Sequence, residues 1–525
     1  MTGTGRLIRL ILRRDRVILP IWILVLGLLP IGTFNSFQGL FPTDAERINF
    51  AHVSAGNAGF VALYGLLRGD SFAALTSWRV GFGTVMIGLA ALLTVIRHTR
   101  ADEEAGRTEL IGSTVVGRHA PLAAALITTA GASLLTGLLI FASLAGKSGS
   151  VSGSLAFGAE FVAAGWIFAA IAAITAQLTG SARSARSIAI AVLGASYALR
   201  VGGDISALGT GSLSWLSWVS PIGWVTHIFP YGALNWWPVV LSALLTAVAI
   251  AVAVDLRGRR DLGDGLFAAR LGRANATPSL RTPLALAWRL HRGLLIGWTI
   301  GLGLLGLIFG GVGGSVLDIA KDNKGLSDIF ARLGGSDQIV DSYLAGTAGI
   351  VGLIAACYAV QATLRLREEE TTGHAEAVLA TSVSRLAWAG SHLLFSLLGP
   401  ALALFAEGVV TGLVYTQGDF GDILGGVMLQ LPAVWVLAAV AVLIFGLLPR
   451  WSLAAWAAPA ACLLILLVGE TLQLNHWLLD ISPFTHVPRL PGGAVSATPV
   501  LTMLAVALVV GVAGLAGLRR RNIPD

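Results

Sequence analysis

Roughly twelve runs of apolar residues, each long enough to cross a bilayer as a helix, are spread along this chain. A crossing takes about twenty such residues, because backbone groups left unpaired in lipid are costly and a helix satisfies them internally. The first six runs lie near residues 17–35, 80–97, 119–143, 155–180, 187–206 and 237–255. The second six lie near 293–314, 345–363, 386–415, 423–447, 451–470 and 498–518. Composition agrees: 55% of the 525 residues are hydrophobic and only 12% charged, where an ordinary soluble domain is about 25% charged. So little polar side chain cannot cover a water-exposed surface, and so aliphatic a chain is not disordered. The expected fold class is an all-α polytopic membrane protein of about twelve transmembrane helices.

The formal net charge of +7 raises nucleic acid as a partner, but its distribution points to membrane topology instead. Nearly all the basic residues are arginines, the only lysines being Lys147, Lys321 and Lys324. They cluster between apolar runs, and most fall on one side if both termini lie inside the cell. Arg6 to Arg16, Arg97 to Arg118, Arg183 and Arg186, Arg257 to Arg292, Arg365 to Arg385, Arg450 and Arg519 to Arg521 then face the cytoplasm. An odd number of crossings would spoil this division. The expected location is the plasma membrane, multi-pass, with both termini cytoplasmic. Cys357 and Cys462 sit far apart in apolar stretches, so a disulfide framework or thiolate metal site is not expected. No cleavable signal peptide is visible at the Arg-rich start.

The polar, basic stretch 256–282 interrupts the apolar pattern and reads as a cytoplasmic linker between a first six-span half, 1–255, and a second, 283–525. Two six-span halves have the same orientation and form parallel repeats. Three echoes support that. After the second span the chain reads Arg100, Asp102, Glu103, Gly106, Glu109, Thr114, Val116, Arg118; after the eighth it reads Arg367, Glu369, Glu370, Gly373, Glu376, Thr381, Val383, Arg385, all at one constant offset. Before the first span of each half, Arg13, Arg16, Trp22 and Gly27 match Arg289, Arg292, Trp298 and Gly303. In the last outer loops Trp215, Ser220 and Pro221 match Trp477, Ser482 and Pro483.

Arg6, Arg9, Arg13 and Arg16 recur at helical spacing with Leu7, Ile8, Leu10, Ile11 and Leu12 between them. This predicts an amphipathic helix at the cytoplasmic interface among anionic lipid headgroups; topology-setting charge alone is the alternative. In the two loops, Asp102 and Glu103 with Glu109, and Glu369 and Glu370 with Glu376, are expected to line one surface of a short helix. Acidic residues on a cytoplasmic surface run against the positive-inside bias, so a protein partner with complementary Arg or Lys is their simplest user. A solvated loop with internal salt bridges is the bland alternative.

These loops resemble the glutamate-rich coupling segment of type-2 ABC exporter permeases: an acidic run, Gly, Glu, a short aliphatic stretch and Thr-Pro-Val-Ser-Arg. Here the pattern stands as Gly106, Glu109 and Thr114 to Arg118, and as Gly373, Glu376 and Thr381 to Arg385, with Val115 and Ser382 in place of the proline. Two halves in one chain make it similar to the fused permeases described as actinobacterial exporters of polyketide antibiotics, the tetronasin type. The resemblance implies interfacial elbow helices, cytoplasmic coupling helices, and two separate cytoplasmic ABC ATPase subunits that carry ATP and Mg. It assigns coupling to Arg100, Asp102, Glu103, Glu109, Arg118, Arg367, Glu369, Glu370, Glu376 and Arg385. It also implies export of a hydrophobic or amphiphilic compound, such as a drug, polyketide or lipid-like molecule.

A phosphate-cradling loop needs Gly-x4-Gly-Lys-Ser/Thr. The nearest string, Gly146-Lys147-Ser148, has Phe141 at the first glycine position, so no ATPase site, and no cofactor of its own, is expected in this chain. No His-Glu-x-x-His pair or Ser/His grouping supports catalysis or a metal site. Glu160 and Glu407 lie inside spans, where ionisable residues mark candidate pathways; they bind a cation or polar group of a substrate, or are structural polar contacts. Arg200 pairs with Asp204 or serves the pathway, and Glu470 lies near a span end. Gly306, Gly310 and Gly314 give a small-residue stripe for close packing. Segments 36–79 and 315–344 are expected to form short interfacial helices. A proton-coupled secondary drug transporter is the alternative function, favoured only by Glu160 and Glu407; a docking scaffold without transport is a third.

Overall fold

The computed structural model describes residues 2–209, 211–261, 263–267, 275, 277, 280–321, 339–468, 476–493 and 496–521, and among these every regular element is helical. Eleven helices are long and apolar enough to cross a membrane, twelve if one bent pair counts as a single crossing. The protein is therefore a polytopic, all-α membrane protein. Its contacts divide it into two compact units, Met1–Gly272 and Arg273–Asp525.

The first unit holds α1 (Thr4–Arg14), α2 (Ile18–Leu40), α3 (Asp44–Gly56), α4 (Ala58–Tyr64), α5 (Phe72–Val80), α6 (Gly83–His98), α7 (Arg100–Glu104) and α8 (Arg107–Gly112). It continues with α9 (Ala120–Leu144), α10 (Val151–Leu178), α11 (Ala182–Leu208), α12 (Leu216–Val219), α13 (Pro221–Thr226) and α14 (Trp237–Arg259). Rich in Ala and Gly, α10 lets neighbours approach closely, and it packs against α6, α9, α11 and α14. Of its apolar window 72% is buried, against 17% for α14, which leaves most of α14 to lipid. The crossing expected at 80–97 is α5 and α6 together, bent by 40° and beginning at Phe72.

The amphipathic α1 forms as expected, with Leu7 and Ile11 buried toward α9 and Arg6, Arg9 and Arg13 exposed. Arg16 is not on its face, because the helix ends at Arg14 and Asp15 caps it. Segment 36–79 is helical too. A capping box between Thr43 and Glu46 starts α3, each side chain satisfying an amide that the helix leaves unpaired. Arg200 of α11 donates to the Val61, Ala62 and Leu63 carbonyls in the last turn of α4, at 2.8, 2.9 and 3.3 Å. It also stands 3.6 Å from Asp204, the partner its spacing predicted.

The second unit holds α15 (Pro283–Lys321), α16 (Ile339–Thr371), α17 (His374–Leu379), α18 (Arg385–Val414), α19 (Phe420–Met428), α20 (Leu431–Leu447), α21 (Ala457–Val468), α22 (His476–Leu479) and α23 (Ala497–Arg520). Short 3-10 turns occupy Pro449–Trp456 and Pro483–His486. Where the first unit breaks its chain between α1 and α2, α15 runs on without interruption. The Ser-Pro echoes both open a short helix: Ser220 caps α13, and Ser482 precedes the 3-10 turn at Pro483. Proline suits that first position because its missing N–H is one the helix would leave unpaired. The surroundings of Gly314, most of segment 315–344, and Glu470 lie outside the described residues.

Two glycines of the predicted stripe set the approach of α15 to α18. A Cβ on Gly306 would stand 2.5 Å from the Glu407 carbonyl oxygen, and one on Gly310 2.8 Å from that of Thr411. Gly301, one turn earlier, has open space around it. Gly306→Leu is therefore expected to cost about 1–3 kcal/mol through overpacking, seen as a lower unfolding midpoint in detergent, while Gly301→Ala leaves the midpoint unchanged.

Candidate functional site

The two charged loops share one backbone geometry. In the first unit α7 ends, Gly106 turns left-handed at φ 71° and ψ 0°, and α8 begins. In the second unit α16 ends at Thr371, Gly373 adopts φ 73° and ψ 0°, and α17 begins. A residue with a Cβ meets its own carbonyl in that region, which is why glycine stands at both turns. Past the turn, Glu109 and Glu376 each lie in the first turn of the short helix and are exposed. A carboxylate there is favoured by the unpaired amides of the helix start.

The acidic pairs behind the turn do not share that exposed surface. Asp102, Glu103, Glu369 and Glu370 are buried, which corrects the expectation that they line one face with Glu109 and Glu376. The reason is local: at the mouth of a helix bundle a carboxylate within reach of arginines gains more from charge-assisted bonds than from partial solvation. Glu103 is gripped by Arg260, whose two terminal nitrogens each stand 2.7 Å from one carboxylate oxygen. Glu370 is gripped by Arg521 at 2.7 and 2.8 Å. Arg260 and Arg521 hold the same place, the capping residue after the last long helix of their unit, α14 and α23. Burial repeats in register there, with Ala253 and Arg257 matching Gly514 and Leu518, and half-buried Arg521 stands where Arg260 is buried.

The arginines that close each motif complete the clasp. Arg118 donates to the carbonyls of Arg257, Gly258 and Arg260, each at 3.1 Å, and Arg385 donates to the Arg521 carbonyl. Each loop is thus fastened at two points to the end of the last long helix, whose orphan carbonyls are satisfied in return.

Other contacts belong to one unit alone. Asp102 accepts from Arg14 of α1 at 2.6 and 3.0 Å and from Arg107 at 2.7 Å. The hydrogen bond to Asp102 holds the Arg14 guanidinium above its ordinary value. Asp15 is 2.6 Å from His98 and 3.1 Å from Arg97, so the end of α1 is anchored beside the loop. Arg100 is fully buried and donates to the carbonyls of Gly180, Gly263 and Asp264. Residues 263–267, expected in a linker, are docked here: Leu266 and Phe267 donate to the Gln177 and Leu178 carbonyls. In the second unit Glu369 pairs instead with Arg365 at 2.9 Å, one helical turn away. Arg367 is half-buried and does not reproduce the role of Arg100.

The in-span carboxylates lie in different units. Glu160, buried in α10, lines a small cavity of about 30 Å³ with Tyr64, Trp78 and Tyr231. Glu407, buried in α18, accepts from Thr411 at 2.9 Å beside the Gly306 packing point. Sequence reasoning missed Arg260, Arg521 and Arg14 as members of the loop assemblies. Comparing the halves backward from the ends of their last spans carries the signal for the first two, since each ends in an arginine cluster.

Removing one partner of a buried ion pair strands the other, a loss of about 3–5 kcal/mol. Glu103→Ala and Arg260→Ala are each expected to destabilise the protein on that scale, and the double substitution by less than the sum. A double-mutant cycle on the detergent-solubilised chain checks this; strictly additive losses would mean that the pair is not coupled.

A family model described as the C-terminal domain of the multidrug efflux system permease Rv1217c matches residues 9–255 and 280–519. The multidrug efflux system permease protein Rv1217c of Mycobacterium tuberculosis is 43% identical over 530 residues, covering 99% of this chain and 95% of that protein. Both matches take in the two charged loops, while the clasp arginines Arg260 and Arg521 lie just beyond the segments that the family model matches. The chain belongs to the Rv1217c family of multidrug efflux permeases.

Proposed function

We propose that this permease is the membrane-spanning subunit of an ABC exporter, with two pseudo-equivalent halves moving a hydrophobic or amphiphilic compound outward. The energy comes from ATP hydrolysed, with Mg, on two separate ATPase subunits, each engaging one charged loop from the cytoplasm. The chain sits in the plasma membrane with both termini cytoplasmic. The observation that carries this reading is the repeated loop, a left-handed glycine, an exposed glutamate on a short helix, and an acid behind it locked to the last long helix. Such a part takes a push at its tip and passes it to a transmembrane helix. Coupling thus belongs to two classes of residue. Glu109 and Glu376 contact the ATPase, helped in the first loop by Leu110 and Val115, which are 75% and 88% exposed. Arg100, Asp102, Glu103 and Arg118, with Arg367, Glu369, Glu370 and Arg385, position the loops and transmit their motion.

Proton-coupled transport is the competing reading, and Glu160 buried beside a small cavity is what favours it. The two separate experimentally. The tagged chain, purified gently from its native membrane, is expected to bring down about two copies of a nucleotide-binding ATPase, identified by mass spectrometry. Glu109→Arg with Glu376→Arg is expected to leave a folded membrane protein that captures no ATPase and exports nothing. A chain that comes out alone and moves solute in liposomes down a proton gradient overturns the proposal.

A further inference from the structure

The first unit contains a cavity of about 460 Å³ between α8, the loop ending at Arg118, and the end of α14. Three arginines line it, Arg118, Arg257 and Arg260, with two carboxylates, Glu103 and Asp261. Their commitments differ. Glu103 is shared between Arg260 at 2.7 Å and Arg100 at 3.2 Å, so one carboxylate faces two guanidiniums and the group keeps a net positive charge. Arg118 spends its guanidinium on the carbonyls at the end of α14. Arg257 is only 7% exposed, and its Nε donates to the Arg118 carbonyl at 2.9 Å. Among the described residues its two terminal nitrogens have no acceptor, and no carboxylate, Asp261 included, comes within ion-pair distance.

A buried guanidinium with no ion-pair partner of its own is expensive, and the fold does not require one here. Leu518 holds the same register position in the second unit, 3% exposed and packed with Leu366, Ala375 and Trp388. The same helix end is thus built with an apolar residue in one unit and a partnerless cation facing a cavity in the other. We propose that this cavity is an anion site for a phosphate group, held by the terminal nitrogens of Arg257 with Arg118 and Arg260 supplying positive potential. A guanidinium fork matches phosphate oxygens two at a time. Arg257 lies two residues inside the end of a membrane span, the depth at which a bilayer carries its own phosphates. Ile111 and Val116 on the cavity wall offer apolar contact to whatever carries the phosphate. This inference stands apart from the export proposal, since it needs no ATPase and no transported compound.

The test uses the full chain in a neutral detergent, with short-chain phosphatidylglycerol and inorganic phosphate as separate probes and native mass spectrometry counting adducts. The wild type is expected to bind one probe molecule at this site. Arg257→Leu, the solution already present in the second unit, is expected to weaken binding at least about tenfold, the scale of one lost charge-assisted contact. Arg257→Lys keeps a point charge but loses the fork, and is expected to weaken binding less than Arg257→Leu does. Thr108→Glu places a like charge on the cavity wall, at a helix start that tolerates it, and is expected to weaken binding comparably without touching Arg257. Arginine-dependent binding of phosphatidylglycerol that inorganic phosphate does not displace identifies a lipid headgroup. Arginine-dependent binding of inorganic phosphate alone identifies a soluble phosphate. Equal binding by the wild type, Arg257→Leu and Thr108→Glu, or no binding of either probe by the wild type, overturns the proposal.

Discussion

A carboxylate gripped through both its oxygens by one guanidinium is the contact on which the charged end of each unit depends, Glu103 by two nitrogens of Arg260 and Glu370 by one nitrogen of Arg521. In lipid, burying apolar side chains against one another gains little over burying them in acyl chains, so close packing and polar contacts decide which helices associate. Here α14 and α23 show the problem clearly, since only 17% and 11% of their apolar windows are buried. Each packs along one face only, α14 on α10 and α23 on α20, and is fixed at its end by an ion pair that lipid cannot replace. Close glycine contacts such as Gly306 on α18 provide the complementary hold inside the bundle.

The same clasp explains what a reader of the sequence finds and misses. Eleven of the expected twelve crossings follow from apolar run length alone and the twelfth from a bent pair, because the bilayer imposes that length on any helix. The bend between α5 and α6, and the start at Phe72, do not follow, since Ser77 to Arg79 interrupt the sequence before the apolar run that begins at Val80. That the loops repeat is visible from Gly106 and Gly373 and the acids around them. Which way the acids turn is not, because the partners lie 157 and 151 residues away along the chain. Local spacing placed Asp102 and Glu103 beside Glu109; the left-handed turn at Gly106 separates them. Arg200 and Asp204, only four residues apart, meet as helical spacing allows, because no distant partner is needed.

The two units keep a shared frame and spend it differently. Arg14 ties α1 to the first loop through Asp102, while the second loop finds its counter-charge one turn back, at Arg365. The first loop carries Leu110 and Val115 where the second carries Ala377 and Ser382. The first tip is therefore broader and more apolar. Any partner that met both loops would meet two unequal surfaces.

Arg257 and Leu518 carry this divergence into the register of the last long helices. A transporter assembled from two copies of one half-sized gene product has either two arginines at that position or two leucines, because a single codon writes both. Joining the halves in one reading frame releases them from that identity. One side can then trade packing for binding while the other keeps the original solution, and selection can act on each separately.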